Sequence, residues 1–173
     1  MTKEIKKFQQ KAIDNITTFS KMVLNGNSIK TVILKSPTGS GKTFMMSQVI
    51  NKIATAQEFS YMDLCFLWVS IGKGSLHEQS YRALVKTFNG YPDCYLLENE
   101  FTGGRDKIER NEVVVLNWEK LRAQDSKTGE WKNILMKDKE TFNFIDIIKN
   151  TKEGKHMGCS GCSGNCGSCG GCH

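Results

Sequence analysis

The stretch SPTGSGKT, residues 36–43, stands between the short apolar run TVILK (31–35) and the segment FMMSQVI (44–50). Two glycines, a lysine and a threonine at the seam between a strand-like and a helix-like segment have a physical use. Glycines let the backbone curl so that successive N–H groups face one concavity, which suits phosphate oxygens. The helix that follows directs the positive end of its dipole to the same point. In that arrangement Lys42 reaches terminal phosphates and the Thr43 hydroxyl can ligate Mg²⁺. The candidate nucleotide-binding residues are therefore Pro37, Thr38, Gly39, Ser40, Gly41, Lys42 and Thr43. A Gly-rich turn that merely joins strand to helix is the alternative; the intact Gly-Lys-Thr and the preceding Gly39 weigh against it.

Outward from this seam the chain alternates. Upstream, Ile5, Phe8, Ala12, Ile16, Phe19 and Val23 recur at spacings of three and four, which predicts an amphipathic helix over 3–24, ended by the turn residues NGNS (25–28). TVILK then reads as a strand, and residues 42–56, free of Pro and Gly, as a helix. Downstream, DLCFLWVS (63–70), CYLLE (94–98) and EVVVLNW (112–118) read as buried strands. SLHEQSYRALVKTF (75–88) reads as a helix with Ser75 as cap and Glu78 at capping-box distance, and 135–150 is expected to be helical. Solid apolar strands alternating with helices predict an α/β fold, a parallel sheet with helices on both faces. Cys65 and Cys94 fall in strand-like runs and are expected as small core residues.

The strict pattern G-x-x-x-x-G-K-[ST] places Gly where Ser36 stands. Read as xPTGSGKT, the stretch resembles motif I of the superfamily 2 helicases and translocases, in which that first position is relaxed. KKFQQKAI (6–13) resembles the F-Q-x-x-A pattern that precedes motif I in these enzymes, and the resemblance implies an adenine contact for Gln9. An amide offers one donor and one acceptor face, which suits an adenine edge; in isolation, a glutamine on an amphipathic helix is a solvated residue. WVSIGKGSLHEQSYRAL (68–84) is similar to motif Ia, although the family's Pro is missing from the loop. It implies nucleic-acid backbone contacts for Lys73, Ser75 and Gln79, residue types that do meet phosphates; a polar loop with a capped helix is the alternative. VVVLNWEKL (113–121) resembles the strand and turn near motif Ib, particularly in the Res subunits of type III restriction enzymes and their DEAD/DEAH-box relatives. Trp118, taken by itself, is expected in the core rather than stacked on a base.

The resemblance spans about residues 5–150. It implies the N-terminal part of a RecA-like domain that binds ATP and Mg²⁺ and, in a complete enzyme, couples hydrolysis to movement on duplex DNA. Modification or other restriction subunits are the partners it implies. Hydrolysis also needs a Walker B acid, a residue that positions water, and charge stabilisation. In this family the first two come from a D-E-x-H motif, and no Asp-Glu pair follows an apolar strand here. Asp146 in FNFID (142–146) is the nearest acid, followed by Ile147 and set in a helical context. No catalytic residue is therefore identified, and the reading is of a domain incomplete before its DEAH strand.

Composition changes abruptly near Gly154. HMGCSGCSGNCGSCGGCH (156–173) holds five of the seven cysteines and six of the sixteen glycines, with no Lys, Arg, Asp or Glu. The expected organisation is an ATP-binding body over 1–154 and a flexible Cys/Gly-rich tail over 155–173. Cys159, Cys162, Cys166, Cys169 and Cys172, spaced x2, x3, x2, x2, could hold Zn²⁺ or an iron–sulfur cluster in a reducing compartment, so a non-enzymatic metal-binding protein built on a P-loop scaffold is the rival reading. A tail of this composition cannot build a core by itself. The net charge of +6 is compatible with a polyanionic partner such as DNA without requiring one. No apolar run approaches the ~18–20 residues that span a bilayer, and the N-terminus lacks a signal-peptide pattern, so a cytoplasmic protein is expected.

Overall fold

Three strands, β1 (Phe66–Ser70), β2 (Asp93–Leu96) and β3 (Glu112–Asn117), form one all-parallel sheet in the spatial order β1-β3-β2. The computed structural model describes residues 4–26, 31–71, 74–101, 104–137 and 143–153. Register pairs Phe66 with Val113 and Ser70 with Asn117 on one side of β3, and Asp93 with Glu112 and Leu96 with Val115 on the other. All six residues of the central strand are buried. Its unbroken Val-Val-Val-Leu run follows from that position, since a strand covered on both faces has no solvent side to make polar.

Helices cover both faces. On one, α2 (Lys42–Ala54) and α3 (Leu76–Phe88) pack Ile50, Leu84 and Phe88 against Val113 and Val115, with Phe66 and Trp68 beside them. On the other, Val114 and Leu116 meet Leu97 of α4 (Leu97–Glu100), Leu121 of α5 (Trp118–Leu121) and Ile147 of α6 (Phe144–Glu153), together with Phe101, Ile108 and Leu135. A third cluster joins α1 (Lys7–Leu24) to α2 through Ile13, Ile16, Met45, Val49 and Ile53. Full burial of a side chain of this kind stabilises the fold by about 1.5–3 kcal/mol, so these three clusters are its main support. Cys65 and Cys94, expected in the core, are instead half-buried at the margins of these clusters, and burial pushes the Cys94 thiol up to about 12.

The sheet departs from the sequence reading at one strand. Residues 31–35 form no ladder; Leu34 packs on the α1–α2 cluster, while Ile33 is 74% exposed. The outer edge of β1, which pairs with β3 alone among the described residues, is therefore not taken up by this run. Leu67 and Val69 of β1, and Ile71 just beyond it, are also exposed. The helix expected over 135–150 resolves into a short 3-10 turn at Ile134–Met136 and then α6, with 138–142 outside the described residues. Ser75 does hold the cap position of α3, but its side chain makes no capping hydrogen bond.

Candidate functional site

The loop of residues 36–41 takes its shape from two left-handed glycines, Gly39 at φ +80° and Gly41 at φ +87°. Residues with a Cβ adopt such angles at a cost, which explains glycine at both. Gly41 is also the N-cap of α2, so the loop delivers the chain into the first helical turn, whose leading N–H groups have no partner within the helix. The carbonyl of Gly41 closes that turn by accepting from Met45 N–H at 2.8 Å, and Ser40 N–H returns to the Pro37 carbonyl at 3.3 Å. Ser36 and Ser40 join through their hydroxyls. A serine at the first position of the motif is thus used to tie the two ends of the loop together.

Lys42, the first residue of α2, folds over the loop. Its Nζ donates to the carbonyls of Ser36 at 2.8 Å and Pro37 at 2.9 Å. The ammonium therefore sits above the concavity, held by acceptors that phosphate oxygens can replace. Gln9 of α1 closes the other side: its Nε2 donates to the Ser40 carbonyl at 2.9 Å, and its Oε1 accepts from Lys6 N–H at 3.0 Å. A Cβ built on Gly41 would lie 2.8 Å from that Nε2, so the glycine also makes room for the glutamine. The structure thus brings Gln9 onto the loop at Ser40, across thirty-one positions of sequence.

Thr43, one residue on, turns toward the sheet. It lines an open cleft of about 510 Å³ with Trp68, Val69, Ser70 and Ile71 of the β1 end and Leu76, Gln79, Ser80 and Ala83 of α3. Gln79, a candidate nucleic-acid contact, thereby faces the same cleft as Thr43, and Ser75 is exposed at the start of α3. Lys73 lies outside the described residues, as do Cys159, Cys162, Cys166, Cys169 and Cys172. Among the described residues no group of three or more His, Cys, Asp or Glu side chains is placed to hold a metal ion.

These residues fit a nucleoside triphosphate with its Mg²⁺. The glycine cradle, the helix start, the displaceable lysine and the threonine hydroxyl occupy one continuous surface at the carboxyl ends of the strands, where open α/β sheets bind ligands. Asp146 has a structural occupation instead. It forms a reciprocal cap with Asn143 at the start of α6: Asp146 N–H donates to Asn143 Oδ1 at 3.0 Å, and Asn143 N–H to Asp146 Oδ2 at 3.3 Å.

Two features escaped the sequence reading. His77, fully buried on α3, places Nε2 2.9 Å from Glu98 Oε1, and Lys120 Nζ lies 3.3 Å from the same nitrogen. The Glu98 carboxylate and the Lys120 ammonium thus meet at one ring nitrogen, and Lys120 Nζ also lies 3.9 and 4.0 Å from Glu78 and Glu98. The cluster ties α3, α4 and α5 together at the same edge of the sheet. No local pattern announces it, because its members come from three separate segments. The second is Trp118, expected in the core and found 37% exposed, with the Arg122 guanidinium 5.6 Å from its ring centroid.

A family model described as type III restriction enzyme, res subunit, matches residues 2–148. No curated protein and no solved structure matches the chain. No helix among the described residues is long and apolar enough to cross a membrane.

Proposed function

The chain belongs to the family of type III restriction enzyme res subunits, a family of helicase-like proteins whose action on DNA depends on ATP, and on that premise we propose that it binds ATP·Mg²⁺ at residues 36–43. The observation that carries the reading is the loop itself: Gly39 and Gly41 in left-handed conformations, with the Lys42 ammonium poised over loop carbonyls at hydrogen-bonding distance. In this reading the N–H groups of the loop and of the first turn of α2 hold the phosphates. Lys42 exchanges Ser36 and Pro37 for phosphate oxygens, and Thr43 is the protein ligand to Mg²⁺. Mg²⁺ held there would neutralise phosphate charge. Gln9 secures the loop through Ser40, and its amide is the group available for an adenine edge.

The proposed activity is binding, with DNA as the macromolecular partner. Turnover would need a carboxylate beside Thr43, and the sequence carries no Asp-Glu pair after an apolar strand. The organisation proposed is a nucleotide-binding body over 1–154, the N-terminal part of a RecA-like domain, followed by a separate Cys/Gly-rich segment over 155–173. Ser75 and Gln79, at the start of α3, are proposed backbone contacts to DNA, and a modification subunit is the protein partner that fits the family. Titration of a fluorescent ATP analogue with and without Mg²⁺ tests the site. Thr43→Ala is expected to remove most of the Mg²⁺ enhancement of affinity; an unchanged enhancement would exclude Thr43 as the ligand.

A further inference from the structure

We propose that Ser36 is a positioning residue of the phosphate loop, which holds, through Ser40, the limb that a bound nucleotide would otherwise set loose; this rests on the ATP binding proposed above. The strict pattern has glycine at this position, and a glycine has no hydroxyl to bond with. The chain enters the loop without support from the sheet, since residues 31–35 form no ladder, although Leu34 packs on the α1–α2 cluster. Beyond Leu34 the limb is tied to the rest of the loop by hydrogen bonds. Lys42 Nζ donates to the carbonyls of Ser36 at 2.8 Å and Pro37 at 2.9 Å. Ser40 N–H donates to the Pro37 carbonyl at 3.3 Å, and the Ser36 hydroxyl donates to the Ser40 hydroxyl. Pro37 has no N–H of its own to add.

These ties do not survive a nucleotide equally. A triphosphate takes the Lys42 ammonium, so both of its bonds to the limb are exchanged for phosphate oxygens. The long Ser40–Pro37 bond and the hydroxyl pair remain, and of these two only the pair fastens residue 36. Ser40 is a firm anchor for it, because its carbonyl accepts from Gln9 Nε2 at 2.9 Å. It also stands between Gly39 and Gly41, both left-handed, where the backbone has the most freedom to lose and a side-chain clamp counts for most. The serine pair therefore matters least in the empty loop, where Lys42 duplicates it, and most in the occupied one. A residue that only stabilised the fold would act on both alike.

The test measures two quantities on the full chain: affinity for ATP with Mg²⁺ by isothermal titration, and the urea midpoint of the nucleotide-free protein. Ser36→Ala is expected to lose about 2- to 12-fold in affinity, the worth of one neutral hydrogen bond, with the urea midpoint close to that of the wild type. Ser36→Gly, which restores the strict pattern, is expected to lose at least as much, because glycine also frees the backbone. Ser36→Thr keeps a hydroxyl and should retain most of the affinity. Ser40→Ala should match Ser36→Ala, and the double variant should lose no more than either, since both remove the same bond. Wild-type affinity in Ser36→Ala and Ser36→Gly, additive losses in the double variant, or a loss of affinity matched by an equal fall in stability overturns the positioning role and leaves ATP binding standing. Absence of ATP binding by the folded wild type overturns both.

Discussion

Gln9 and Ser40 are joined across thirty-one positions of sequence: the glutamine Nε2 donates to the serine carbonyl at 2.9 Å, binding the first turns of α1 to the phosphate loop. The glutamine thus has a structural reason to precede the loop, whatever base it also meets. Gln9→Ala is expected to weaken ATP binding about 2- to 12-fold, the worth of one neutral hydrogen bond. Gln9→Glu should cost more, since a carboxylate cannot donate to the carbonyl and adds negative charge beside the phosphates. Isothermal titration of the two variants checks the order.

Gly41 is constrained twice, by its φ of +87° and by the Gln9 amide 2.8 Å from where a Cβ would stand. Gly41→Ala is expected to lose about 1–2 kcal/mol to the left-handed conformation alone, seen as a lower urea midpoint, and to bind ATP poorly. Adding Gln9→Ala removes the contact but leaves the backbone strain. Only partial recovery is therefore predicted in the double variant, and full recovery would place the cost in the contact.

Glu112 opens β3 nearly buried, and its Oε2 accepts from Arg105 and from Glu109 N–H at 2.7 Å. Arg105 in turn lies over the rings of Phe101 and Tyr95. Removing one member of a buried pair costs about 3–5 kcal/mol; Arg105 keeps some contact with water, so about 2 kcal/mol is expected for Glu112→Gln. Denaturant unfolding measures it. The site at the opposite ends of the strands should keep its affinity for ATP wherever the variant remains folded.

Cys94 carries a prediction in pH. Burial raises its thiol from the ordinary 9.0 to about 12, so the folded state holds the proton that the unfolded state gives up. Stability contributed by the neutral thiol is complete below pH 9.0 and is lost as pH rises toward about 12. Native-state alkylation of Cys94 at pH 8, followed by peptide mass spectrometry, should be slow and should accelerate on addition of urea. Rapid alkylation of the folded protein would contradict the burial.

How much of this was legible in the sequence depends on how local each signal is. SPTGSGKT announces itself because a phosphate cradle is made from consecutive residues, and α1, α2 and α3 appear in the spacing of their own apolar side chains. β3 is readable as well: only a strand covered on both faces carries Val113 to Leu116 without a break. The TVILK run misleads because its composition is that of a strand, while strand formation is settled by pairing with a neighbour, which composition does not contain. Trp118 misleads in the opposite sense. Its size argues for the core, but the Asn117 cap ends β3 and turns the ring outward. His77, Glu98 and Lys120 were silent because a contact among three elements has no sequence pattern of its own.

The central claim, that residues 36–43 hold the phosphates of ATP, is tested most directly by equilibrium binding of ATP with Mg²⁺ to the wild type and to Lys42→Ala, both verified as folded. The account predicts saturable binding by the wild type and a loss of about 10- to 150-fold in the variant, the range for a hydrogen-bonded charge. Equal affinity in the two proteins, or no binding by a folded and monodisperse wild type, would contradict it.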